Sequence, residues 1–399
     1  METIQGPTRT LAPSSGLKDP TRMSYEEKCR HFRKLVKKVR VPWNEDSLVL
    51  VVDRASLLDN SVSQLGALGA VDFHKELGVF FEGEVGQDAG GLFKEWLNSV
   101  TGELFSAKQG LFVLADCEGI AYRIKPGSET LTELFEFCGK VLAKAAFENI
   151  PINCPLATPL YRQLTGKKVT LQDLRRYDHD LYESLDFIKH NSVTDVIFHT
   201  FAVQGPAGEV ELRPGGSAEQ VNDENKRDYV KLRKAWEVMG SVKTQVEALL
   251  RGFHTVLPLK FVGYFDPGEL ELLLCGLPMV DVKEWESYTE YRGCLSHEHQ
   301  VVRWFWEVVE ELTQEELSNL LMFSMGTYRL PVEGFRTLKT LRGDTAHFTL
   351  QSVHFDSNAP FPRAHTCFNR LDLPLYDSKE QLKHYLLTAL DYSVGFGLE

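Results

Sequence analysis

The chain has 399 residues, 43% of them hydrophobic and 25% charged, an ordinary mix for a soluble globular protein long enough for about two or three domains. Its 44 basic and 56 acidic side chains leave a formal net charge of −12, which argues against nucleic-acid binding through a basic face and suits a partner with a positive surface. Seven cysteines at irregular spacing, with no CxxC, exclude a disulfide framework or a zinc site as expectations, and no stretch reaches the roughly 18 apolar residues of a membrane helix. The expectation is a soluble cytoplasmic or nuclear protein with reduced thiols, no metal, no cofactor and no membrane partner.

Residues 1–20 are rich in Gly, Pro, Ser and Thr and read as disordered. "MSYEEKCRHFRKLVKKVR" then places Tyr25, Cys29, Phe32 and Val36 at helical spacing beneath a basic face. "SLVLVVDR" (47–54) and "GVFFEG" (78–83) read as strands, and "GQDAGGLFKEWLNSV" opens a helix. Gly90 and Gly91 lack the surroundings of a phosphate loop, so backbone crowding explains them better. Helices are predicted over 128–148 and 179–189, strands over 194–203 and 208–214, and a long helical region over about 223–253. A further helix, 266–276, is stopped by Gly276, and "GLP" (276–278) breaks the chain. Beyond the break, Val302, Phe305, Val309 and Leu312 form one stripe, while Thr313 with Glu316 and Ser378 with Gln381 have capping-box spacing. "AHFTLQSVHF" alternates like a strand, so the last 120 or so residues read as a small α/β unit after a larger, mostly helical one.

Within "PRAHTCFNRLDLP" (362–374), strand alternation puts His365, Cys367 and Asn369 on one face. Such a row fits a wet, functional surface better than a core. A thiol is nucleophilic as its thiolate, whose fraction rises beside a donor or cation. His365 has that capacity, or it only orients a substrate. Most of the other six cysteines lie among apolar residues and read as core.

The run "PRAHTCFNRLDLPLY" resembles the active-site signature of the HECT family of E3 ubiquitin-protein ligases. Six more segments resemble family motifs, in family order: "FEGEVGQDAGGLFKEW", "ELRPGGSAEQVNDENKRDYV", "ELELLLCG", "TEYRG", "WFWEVV" and "MGTYRLPVEGF". The likeness covers about residue 47 to 399. It implies an α+β bilobal fold: a mostly helical N-lobe (21–275, with a preceding helix), a hinge at 276–278 that includes Gly276, and an α/β C-lobe (279–399). It further implies that Cys367 accepts ubiquitin from an E2 enzyme as a thioester and passes it to a lysine of a protein substrate. His365 and Thr366 then support the nucleophile, and Phe396 matches a tail phenylalanine that many members need for lysine transfer. Glu399 is a candidate for lysine deprotonation, although a solvated terminal charge is the simpler reading. The E2 groove maps to Leu181, Ser184, Leu185, Ile188 and Tyr229 on a subdomain of about 175–255, although spacing alone makes those leucines core. Phe147 falls where some members carry an exposed tyrosine of a second ubiquitin site, and Phe361 replaces a leucine. Members usually carry substrate-recognition domains ahead of this one, so the expectation is a fragment or recognition through a partner. The competing readings are a catalytically silent module that binds E2 or ubiquitin, which the intact cysteine run disfavours, and a thiol hydrolase. A papain-like or caspase-like context is absent around Cys367.

Overall fold

The computed structural model describes residues 20–84, 89–115, 121–128, 131–205, 208–338 and 345–395. The segment expected to be disordered therefore lies, apart from Pro20, outside the described residues, as do Phe396 and Glu399. Among the described residues no helix is long and apolar enough to cross a membrane.

Apolar side chains collect in three clusters. The largest joins residues of 29–164 to residues of 242–275 and is the core of the N-lobe. At its centre the helices Thr132–Glu148 and Lys243–Val256 lie against each other. Their backbones approach so closely that a Cβ on Gly139 would sit 2.1 Å from the Leu249 carbonyl oxygen, and one on Gly252 1.8 Å from that of Glu136. Only glycine permits that approach. A two-stranded parallel sheet, Ser47–Val52 with Glu76–Phe81, sends Leu50, Val52, Leu77, Val79 and Phe81 into the same core. The helix Ala89–Phe105 packs on its second strand. The Phe147 ring is only 1% exposed, stacked 5.0 Å from the His74 ring and capped by the Arg40 guanidinium. It is a core ring, so the expected correspondence with an exposed docking tyrosine does not hold.

The second cluster is a small unit with Leu174, Leu185, Ile188, Phe201, Tyr229 and Val238 at its centre. The predicted long helix over 223–253 is two helices, Lys226–Val238 and Lys243–Val256. They part at Gly240, where a Cβ would meet the Trp236 ring at 2.4 Å. The second helix buries its apolar face in the N-lobe core, so the small unit ends near Val238 rather than at about 255. The strand predicted over 194–203 is short, Ala202–Gly205, paired in a hairpin with Gly208–Glu211.

The third cluster is the C-lobe core, from Val280 to Leu390. Its sheet runs in the order Glu290–Arg292, Thr349–Val353, Arg370–Pro374, Arg363–His365; the first three strands are parallel and the last is antiparallel. The expected Thr313–Glu316 capping box is formed and starts the helix Gln314–Met325, which Gly326 ends in a left-handed conformation. Between the lobes, the helix Pro267–Cys275 stops at Gly276, φ 70°, and the Leu277 N–H donates to the Leu330 carbonyl at 2.9 Å. A Cβ on Gly276 would lie 2.1 Å from that same carbonyl oxygen. The helix Tyr25–Val39 touches both lobes: Lys28 pairs with Glu269 at 2.6 Å, and Arg33 lies 3.8 Å from Glu333.

The glycine contacts make opposite predictions for two Gly→Ala changes. Gly252→Ala overpacks the helix crossing and should lower stability by about 3 kcal/mol. Gly102, exposed in the helix Ala89–Phe105, has open space where a Cβ would go. Gly102→Ala should be neutral or stabilising by about 0.5–1 kcal/mol. Thermal melting of both variants checks the pair.

Candidate active site

Cys367 does not lie on a strand. The strand Arg363–His365 ends, Thr366–Phe368 make one turn of 3-10 helix, and Asn369 reverses the chain at φ 47° before the strand Arg370–Pro374. The expected shared face of His365, Cys367 and Asn369 is therefore absent, because alternation fails once the chain turns. Asn readily takes the left-handed conformation, which most side chains avoid. The turn holds Cys367 half-buried at its apex, with Phe368 projecting into solvent.

Asn369 is buried and works as a pin. Its amide Nδ2 donates to the Ala346 carbonyl at 2.8 Å, and its own carbonyl accepts from the Thr349 N–H at 2.9 Å. On the following strand Leu371 and Leu373 enter the core, which leaves Arg370 and Asp372 on the face beside the turn. The His365 ring reaches Asp372, Nε2 to Oδ2, at 3.0 Å. A carboxylate can only accept, so Nε2 carries the proton there, and Nδ1 is the acceptor nitrogen of the neutral ring. Arg370 Nε lies 3.0 Å from the other Asp372 oxygen, close enough for an ion pair but not aligned as a hydrogen bond.

The N-lobe completes the site. Lys94, from the helix Ala89–Phe105, is 8% exposed. Its ammonium donates to the carbonyls of Met325 (2.9 Å) and Thr366 (3.1 Å) and to Asn369 Oδ1 (3.3 Å). One turn on, Asn98 Nδ2 donates to the Gly326 carbonyl at 2.9 Å. Both donors meet the carbonyl end of the helix Gln314–Met325, whose last oxygens lack helical partners and whose dipole favours a cation. Beside this junction an open cleft of about 300 Å³ is lined by Gly91, Leu92, Glu95, Met322, Gly326 and Thr366. Glu95 is paired with Arg54 at 2.7 Å.

The residues matched to an E2 groove divide by burial. Leu185, Ile188 and Tyr229 are core of the small unit, Leu185 at 1% exposure, and present almost no surface in this arrangement. Leu181 is partly buried against the same core, and Ser184 is exposed. Helical periodicity finds the face that packs inward, and these positions follow it. Among the described residues, the large apolar side chains that this unit exposes include Phe187 (47%), Val196 and Phe198 (79%). Phe198 sits in "TDVIFHTFAV", which strand alternation could not mark as exposed. Lys94 and Asp372 also escaped the sequence reading; the partners of Lys94 lie more than 200 positions away.

The chain is thus bilobal and α+β, with Cys367 on a pinned turn of one lobe that the other lobe braces. The family profile described as "HECT-domain (ubiquitin-transferase)" matches residues 98–399. The E3 ubiquitin-protein ligase pub1 of Schizosaccharomyces pombe is 36% identical over 355 residues, 87% of this chain and 46% of pub1. The E3 ubiquitin-protein ligase Nedd-4 of Drosophila melanogaster is 35% identical over 94% of this chain and 38% of its own length. For the E3 ubiquitin-protein ligase HECW1 of Mus musculus the figures are 35%, 95% and 24%. The chain belongs to the HECT family of ubiquitin transferases, and it spans less than half the length of these curated relatives.

The pin makes a stability prediction. Asn369→Ala removes a buried donor and acceptor and leaves a left-handed backbone without a residue that suits it. The loss should be about 2–4 kcal/mol. Asn369→Gly should recover part of it by relieving the backbone alone, as thermal melting of the two variants would show.

Proposed function

We propose that the chain is the catalytic domain of a ubiquitin ligase with Cys367 as its nucleophile. The observation that carries this is how the cysteines are presented. Burial pushes the Cys29 and Cys275 thiols up to about 11 and Cys154 up to about 12, and raises Cys138 as well. Such thiols are poor nucleophiles at neutral pH. Cys294 is exposed, but it follows the strand at the opposite edge of the C-lobe sheet. Cys367 alone among the described cysteines sits on a pinned turn with an oriented histidine two residues away.

In the first step the Cys367 thiolate attacks the carbonyl carbon of the E2–ubiquitin thioester. A new C–S bond forms, the bond to the E2 sulfur breaks, and the E2 leaves as thiolate. In the second, a deprotonated lysine amine of a protein substrate attacks the Cys367 thioester. The C–N isopeptide bond forms, the C–S bond breaks, and the proton lost by nitrogen ends on the departing thiolate or water. The exchange between thioesters is nearly neutral in energy, so positioning governs both steps. Thr366 fixes the entry to the turn through its carbonyl, and His365, held by Asp372, supports the site. Phe396 retains its proposed part in lysine transfer.

The E2 docks on the small unit through Phe187, Val196 and Phe198, with Leu181 and Ser184 at the edge. Exposed aromatic rings of this kind anchor partners. The Cys367 turn, by contrast, rests on a helix of the main N-lobe core. The thiol therefore meets E2 and substrate at different places, and rotation about Gly276 carries it between them. E2, ubiquitin and a protein substrate are the partners this reading implies, in the cytoplasm or nucleus.

Incubation with ubiquitin-charged E2, followed by gels with and without reductant, tests the reading. Wild type and Cys294→Ala should give a reductant-sensitive ubiquitin adduct, and Cys367→Ala none; an unchanged adduct in Cys367→Ala would sink the assignment. A silent binding module would give no adduct in any variant. Phe198→Ala should slow loading by about tenfold or more at unchanged melting temperature. Leu185→Ala should instead cost about 2–5 kcal/mol of stability, because its side chain is core.

A further inference from the structure

We propose that Lys94 is a positioning residue for the second half-reaction, needed to hand ubiquitin to lysine but not to receive it from E2. This rests on the ligase reading above. Three of the oxygens that receive the Lys94 ammonium belong to the C-lobe: Met325 O, Thr366 O and Asn369 Oδ1. Two of them bracket Cys367, one residue before it and two after. One cation from the N-lobe thus grips the cysteine turn on both sides of the thiol and ties it to the end of the helix Gln314–Met325.

The grip exists in one lobe arrangement only. Lys94 extends from the main N-lobe core, whereas the exposed Phe187–Val196–Phe198 surface belongs to the small unit. A rotation about Gly276 that brings Cys367 to E2 on that surface pulls the turn off the helix Ala89–Phe105. All three contacts are then lost. When the lobes close again, the three oriented oxygens receive the ammonium once more, and burying it against this lobe without them would be disfavoured. Two further contacts seat the same junction. Asn98 donates to the Gly326 carbonyl, and a Cβ on Gly326 would lie 3.3 Å from both Lys94 Cδ and Thr366 Cβ. The cleft that opens here is bounded by Thr366 on the C-lobe side and Leu92 and Glu95 on the N-lobe side. An incoming amine at this cleft meets a turn that is already fixed. Lys94 acts through that turn, and misplacing a reacting group by an ångström is enough to slow transfer by orders of magnitude.

The test separates the two steps in single turnover. Wild type, Lys94→Met and Lys94→Arg are loaded from ubiquitin-charged E2 and the loading rate is recorded. E2 charging is then stopped, and discharge of the Cys367 adduct to free lysine is followed on non-reducing gels. The expected result is loading within about twofold of wild type for Lys94→Met, discharge at least about tenfold slower, and substantial rescue in Lys94→Arg. Discharge at the wild-type rate in Lys94→Met overturns the proposal. So does an equal fall in both steps, which would make Lys94 a structural residue. If wild type forms no reductant-sensitive adduct, the ligase reading itself fails, which is a different result. Should Lys94→Met not fold, Asn98→Ala removes one donor from the same junction. It should slow discharge about threefold at unchanged loading, and unchanged discharge overturns the proposal.

Discussion

A lysine ammonium sealed against the carbonyl end of a helix from the other lobe is the contact on which the arrangement of the site depends. An α-helix leaves its last carbonyls unpaired, and its dipole concentrates negative charge there. The C-lobe presents such an end at Met325 and Gly326, and the N-lobe answers with Lys94 and Asn98. The turn that carries Cys367 is the third party to this contact, through Thr366 and Asn369. The same ammonium therefore joins the lobe interface to the backbone of the Cys367 turn.

Much of this architecture was legible in the sequence where the cause is local. The Thr313–Glu316 box is a three-residue interaction, and it forms where its spacing says. The break at Gly276 is also local, since a glycine after an apolar helix is a stop signal in its own right. The Cys367 turn was not legible, because alternation over 364–369 assumes an extended chain. The one local sign against it was Asn369, a residue that tolerates positive φ. Lys94 was unreadable for a different reason: it lies in a quoted motif, but its partners lie in another lobe.

The small unit shows a limit of periodic reading. Leu181, Leu185 and Ile188 recur at helical spacing because that is how a helix meets its own core. An exposed apolar ring breaks this logic, standing where the pattern wants a polar residue. Phe187 does so on the same helix, and Phe198 on a segment with little regular structure. Of the positions that resemblance to the family marked for contact, Leu185, Ile188 and Tyr229 lie on the inward face.

The glycine at the hinge has a wider meaning. In the docked arrangement Gly276 lies so close to the Leu330 carbonyl that a side chain could not enter, and the Leu277–Leu330 hydrogen bond fastens the same spot. The crowding comes from both lobes, because the Pro151 Cβ of the N-lobe would lie 3.0 Å from the same added atom, and at φ 70° any side chain is strained besides. A side chain at 276 would therefore wedge the two lobes apart at the point where the chain passes from one to the other.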